Sequence, residues 1–251
     1  MPGYASYAAR TRSAVAPSQL DLSSEMPPIA DQHETQACTA FSSSYAILTY
    51  YEELLHGSKL TGNGEFGIDT AHVFSPAYVW NSLNGGQNVG LNPADVARFL
   101  KKHGGVPWRD FPWTGKPVPK PGEMVLREGR PFHLARYFKL PRDRNAVKTY
   151  LQAGYPIFWA VHVDKSLDGL AFADATASLP AWQPDASVTG KLGGHAMVIV
   201  GYDDTQGGFI FRNSWGTNFG NAGYALIPYA TFESKHITAL SYVLEPAGAS
   251  F

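Results

Sequence analysis

Cys38, His195 and Asn213 are the residues of this 251-residue chain whose types could together arm a nucleophile. A cysteine attacks as its thiolate, an imidazole takes and returns the proton, and a carboxamide holds the imidazole in one orientation. Cys38 is the only cysteine and stands in Asp31-Gln32-His33-Glu34-Thr35-Gln36-Ala37-Cys38-Thr39-Ala40-Phe41; Gly194-His195-Ala196 and Asn213-Ser214-Trp215-Gly216 lie far downstream. A lone cysteine is more often inert and buried, so its surroundings must decide between the two readings.

The elements that would position these groups follow from periodicity. Phe41, Tyr45, Leu48 and Leu55 recur at helical spacing, Thr35 is a candidate N-cap and Gly57 follows the last periodic residues, which predicts a helix over about 36–56. Cys38 then falls in the first turn, where the positive end of the helix dipole favours the thiolate. Helical pattern continues at 75–83 and from Asn92-Pro93-Ala94-Asp95 through Lys102, ended by Gly104-Gly105. A Pro-rich connection from Pro107 to Pro121 closes this part.

From about Phe132 the pattern turns to strands. Segments 156–163, 195–202, 209–212, 224–227 and 237–244 are β-branched or aromatic and separated by Gly or Asp turns, and only 145–153 looks helical. Helices first and strands second predict an α+β chain with segregated lobes. Residues 1–28, rich in Ala, Ser and Pro, read as an extended N-terminal arm ending at Met26-Pro27-Pro28; 29–125 read as a mainly helical lobe and 126–251 as a mainly β lobe.

Composition narrows the partners. With 44% hydrophobic and 16% charged residues the chain can bury a substantial core. A net charge of −1 gives no electrostatic case for nucleic acid or an anionic membrane. No segment approaches membrane-spanning length, and Arg10 and Arg12 are followed by no apolar run of the kind a cleavable secretion signal needs. One cysteine allows no intrachain disulfide, which suits a reducing compartment, so a cytoplasmic location is expected, with export lacking such a signal as the alternative. The other seven histidines show no metal-ligand spacing, and neither a metal nor a cofactor is expected. Trp80, Trp108, Trp113, Trp159 and Trp182 read as core or loop anchors, and Asp203-Asp204 as a turn.

From about Asp21 to Tyr229 the chain resembles the papain-like cysteine peptidases, and its pieces occur in that family's order. Gln32 lies six residues before Cys38, where the family places its oxyanion-hole glutamine, and Ala40-Phe41 follow as in the family's Cys-Trp-Ala-Phe run. Asn84-Gly85-Gly86 resembles the Asn-Gly-Gly that holds an extended substrate by its backbone. Gly194-His195-Ala196 with Val198-Ile199-Val200-Gly201-Tyr202 is similar to the strand of the catalytic histidine. Asn213-Ser214-Trp215-Gly216, with Gly220, Gly223 and Tyr224, is the most specific match.

There are departures. Thr35 and Leu83 stand where the family has the two halves of one disulfide, and Thr39 stands where it has an aromatic. His195 and Asn213 follow Cys38 by 157 and 175 residues, beyond the usual span of about 130–150, with Asp164 to Leu192 the candidate insertion. His33 occupies a position often held by Gly, on the leaving-group side. Only about twenty residues precede Asp21, so either a longer inhibitory prosegment is removed or activity is restrained otherwise.

The resemblance implies a papain-like two-lobe fold, a helical lobe with the cysteine helix facing an antiparallel β-barrel-like lobe that carries His195 and Asn213 across a cleft. It implies catalytic roles for Cys38, His195, Asn213 and Gln32. Substrate contacts are implied at Gly85, Gly86, Ala196 and Trp215, with Trp215 also shielding the His195–Asn213 bond from water. Gln87-Asn88 make the adjoining wall more polar than is common, and Ala196 leaves the pocket floor open. Taken alone, Gln32 could be a solvated loop residue, His195 a core histidine, Gly85-Gly86 a turn and Asn213 a strand-end turn residue. The expected activity is hydrolysis of a polypeptide through a Cys38 thioester, with a proteinaceous or prosegment inhibitor as a further partner. The alternatives are a peptide ligase or acyl transferase on the same thioester, or a catalytically silent binding module.

Overall fold

Seven strands form one antiparallel sheet in the computed structural model, which describes residues 17–56, 70–170, 178–184 and 191–247. The strands are β1 (Gln19–Asp21), β2 (Leu134–Leu140), β3 (Ile157–Asp164), β4 (Lys191–Asp203), β5 (Gly208–Arg212), β6 (Tyr224–Pro228) and β7 (Ala239–Pro246). Their order is β2-β7-β3-β4-β5-β6, with β1 joined to the far end of β4. Neither edge strand, β2 or β6, returns to the other, so the sheet is open and the expected barrel-like closure is corrected. β3 pairs with β4 from Lys191 to Ile199 and β5 from Val198 to Asp203; beyond Ile157↔Ile199, β1 takes the place of β3 at Asp21↔Gly201. Gly201 is required there, because a Cβ would lie 2.2 Å from the Leu20 carbonyl oxygen.

The helices pack against both faces of this sheet. The cysteine helix α1 begins as an α-turn at Cys38–Ala40, is π-wound over Phe41–Leu48 and returns to α geometry at Thr49–His56. It is followed by α2 (Pro76–Leu83), α3 (Pro93–His103) and α4 (Glu123–Glu128), and among the strands by α5 (Arg144–Gln152), α6 (Lys165–Asp168) and α7 (Tyr229–Glu233). Helix α3 shows why these sequences wind. Val96, Ala97, Phe99 and Leu100 form its buried stripe, and Asn92 caps it by accepting from Ala94 N at 2.9 Å. Asp95 lies in the first turn and Lys101 and Lys102 in the last, complementing the dipole. Gly104 ends it at φ 71°, with room for no Cβ beside Gly129. Asn92→Ala should cost about 0.5–2 kcal/mol, read as a lowered urea midpoint at unchanged slope.

The fold class is α+β, as expected, but the lobes share one contiguous core. Tyr50 and Tyr51 of α1 reach across to donate to the carbonyls of Gly154 and Leu244. The boundary placed between 125 and 126 falls inside α4. The described part of the 1–28 arm is built into the fold: β1 joins the sheet, Leu22 and Met26 are buried, and the Arg212 guanidinium donates to the carbonyls of Pro27 and Pro28. Of the candidate insertion 164–192, residues 171–177 and 185–190 lie outside the described residues. Residues 178–184 dock on the β6 edge, where Trp182 N donates to Leu226 O and its buried ring packs on Trp159 and Phe211. Asp203 is a turn residue, accepting from Thr205 and Gln206.

Candidate active site

Cys38 is the first helical residue of α1, and Ala37 precedes it as a cap with no side-chain bond. Thr35 is therefore not the N-cap; its hydroxyl donates instead to Gln32 O at 2.6 Å. With no capping side chain, the first-turn amides are free to serve the sulfur. The backbone N–H groups of Cys38 and Thr39 act on it from the helix start, and that of Ala196 acts on it from β4.

His195 sits on β4, buried, with Nε2 donating to Asn213 Oδ1 at 2.8 Å. Asn213 follows the last residue of β5, and the pairing Val198↔Arg212 carries it alongside the histidine. The same Oδ1 also accepts from Ser214 N at 2.8 Å, so two donors fix which end of the amide faces the ring. Because Oδ1 can only accept, the neutral imidazole carries its proton on Nε2 and offers the Nδ1 lone pair for a proton from sulfur. The Trp215 ring lies against His195 at 4.7 Å between centroids.

Cys38 and His195 line one cavity of about 350 Å³. Burial pushes the Cys38 thiol up, against the opposing backbone amides, and lowers His195 to about 4 against the pull of Asn213. Both directions reflect the cost of one unbalanced charge in a dry cleft. They therefore widen the pH range in which the pair holds a single proton between sulfur and nitrogen. As pH falls the pair gains a second proton and a net charge only near 4; as pH rises it loses its proton only above the ordinary thiol value of about 8.5. kcat/KM should accordingly run flat between those limbs. An acid limb near 6.5 would mean that the imidazole ionises as an isolated, hydrated group.

Gln32 lies in a loop stitched to the Asn213–Gly216 segment. Gln32 N donates to Ser214 O, Gly216 N to Ala30 O, and the Ser214 hydroxyl to Gln32 Oε1 at 2.7 Å. Gln32 Nε2 donates to Thr35 O at 2.6 Å, which leaves one further N–H on that nitrogen. Ser214 was not singled out from sequence, because its partner is 182 residues away. His33, next in the loop, adopts φ 52°, the left-handed conformation that a Gly would enter freely.

The cavity lining also includes Gly90, Leu91, Ala160, Val161, Ala196 and Leu240. Gly85 and Gly86 are not in that lining; both are exposed at positive φ in the turn after α2, held by Asn84. Gly90, four residues on, lines that cavity. Asn88, expected to make the wall more polar, instead stitches this loop to the cysteine loop, accepting from Gln36 N and donating to Glu34 O.

A family model described as papain family cysteine protease matches residues 16–243. Gamete and mating-type specific protein A of Dictyostelium discoideum is 26% identical over 208 residues, covering 83% of this chain and 42% of that protein. The chain spans about half the length of the curated relatives it matches. Among solved structures, xylellain, a cysteine protease from Xylella fastidiosa, superposes with a TM-score of 0.75 at 21% identity, covering 93% of this chain and 88% of that one. Bromelain protease from Ananas comosus, in complex with the E64 inhibitor, superposes with a TM-score of 0.63 at 18% identity, covering 92% and 99%.

Proposed function

The chain belongs to the papain family of cysteine proteases, and from that premise we propose that it hydrolyses peptide bonds through a thioester on Cys38. The observation that carries this is the His195 Nε2–Asn213 Oδ1 bond, which presents the other ring nitrogen within the cavity that Cys38 lines. Cys38 Sγ attacks the carbonyl carbon while its proton passes to His195 Nδ1. Negative charge gathers on the carbonyl oxygen, where the free N–H of Gln32 and the N–H of Cys38 donate. The C–N bond breaks as His195 protonates the leaving amine. Water then attacks the thioester carbon, giving its proton to Nδ1, and the C–S bond breaks with return of that proton to sulfur. Gly85, Gly86, Ala196 and Trp215 border the substrate, and Gly90 adds to the cavity wall.

The neighbour that holds the E64 inhibitor supports a cleft open to inhibitors as well as substrates. A proteinaceous inhibitor or a prosegment would occupy the same groove and compete with the polypeptide. A reducing, cytoplasmic compartment suits a chain whose one cysteine is its nucleophile, since oxidation there would end activity. The test is cleavage of a peptide mixture by the purified protein, with iodoacetamide modifying Cys38 stoichiometrically and stopping turnover. Products joined to an added amine in preference to free acids would favour aminolysis over hydrolysis, and neither product would overturn the reading.

A further inference from the structure

A second hollow, of about 430 Å³, adjoins the catalytic cavity and shares Gly90 and Leu91 with it. Its floor is apolar, from Leu83, Val89, Leu91 and Phe99, and its outer wall is the last two turns of α3 with Arg98 and Lys102. Val89 is 40% exposed there, one of two large hydrophobic residues so exposed among the described residues. The loop that makes the floor is pinned at two points: Trp80 Nε1 donates to Val89 O, and Asn88 ties it to the residues before Cys38. This surface can therefore receive a chain without first being ordered.

Its charge is unbalanced. Asp95 on the same wall is taken by Arg98 at 2.5 Å. Lys102 forms no ion pair among the described residues and is exposed. His103 beside it is held below its ordinary value, by burial first and then by Lys102 and Arg130, with Glu123 opposing them.

We propose that this hollow is an extension of the substrate site that selects polypeptides carrying an acidic side chain, paired with Lys102, a few residues from the scissile bond. The proposal rests on the peptidase reading and names its substrate class. An extended chain advances about 3.3 Å per residue, so a strand passing from Cys38 over Gly90 and Leu91 places the following residues in the hollow. Its backbone lies on the apolar floor, and one carboxylate meets the Lys102 ammonium at the rim.

The test is a set of peptides with one cleavable core and Glu, Ala or Lys scanned through the flanking positions, measured at low and high salt. Glu should exceed Ala in kcat/KM by about 2–5-fold at one flanking position, as an exposed ion pair allows, and the advantage should vanish at high salt. Lys102→Glu should invert the Glu-to-Lys ratio there, and Lys102→Met should bring it toward one. Cleavage with no charge preference, or with a preference indifferent to both substitutions, would overturn the proposal alone. The same peptides are titrated against the Cys38→Ala protein. A Lys102-dependent preference in binding, with no turnover by the unsubstituted protein, would overturn the peptidase reading and leave the groove standing.

Discussion

Cys38→Ala is expected to remove turnover, with a fall in kcat on the order of 10⁶ and an unchanged circular dichroism spectrum. The sulfur is the bond-forming atom, and no other cysteine exists to replace it. The fold should tolerate the change because the substitution deletes one atom at the cavity wall, where the side chain is 5% exposed and packs no large volume. His195→Ala should cost a similar amount, and the double variant little more, since sulfur and imidazole act as one unit. If the two losses add, Cys38 and His195 do not exchange a proton, and the mechanism fails.

Gln32→Ala is expected to lower kcat by roughly 10²–10³, about 2.7–4 kcal/mol, because one donor to the oxyanion is lost at the point where charge develops. The residue also holds two loops together through Ser214 and Thr35, so a structural loss must be told apart from a chemical one. Ser214→Ala makes that separation. It frees Gln32 Oε1 but keeps the amide donor, and should leave most of kcat while lowering stability by about 1 kcal/mol. A Gln32→Ala protein with normal kcat and a raised KM would show that Gln32 binds substrate without stabilising charge. Equal losses in kcat for both variants would assign the effect to loop geometry.

The elements with strong local signals were legible. Asn92-Pro93 and Gly104 bound α3 as their chemistry requires, and the apolar runs at 156–163 and 209–212 became β3 and β5 within a residue or two. Elements without such signals were missed. β2 has only its ends buried, because it pairs with β7 alone at a sheet edge. β1 is three residues long and exists only because Gly201 lets it approach β4. The short α6 depends on its Asp164 cap, and α7, which has no side-chain cap, on the burial of Tyr229 and Phe232; periodicity registers neither.

What the sequence by itself determined is the chemistry. Residue types are local: a single thiol at a helix start, an imidazole on an apolar strand, and a carboxamide followed by Ser-Trp-Gly name the reacting groups and the order of their roles. What only the tertiary structure decided is orientation and access. The proton sits on Nε2 of His195 because Asn213 Oδ1, fixed by Ser214 N, can only accept. The sulfur gains the amide of Ala196 because β4 crosses the mouth of α1. Gly90 lines the cavity, while Gly85 and Gly86 make a left-handed turn in the same loop. Each of these rests on a backbone group or on the direction of a bond between residues far apart in the chain. Such directions are set when the sheet and the helices pack, and side-chain identity does not encode them.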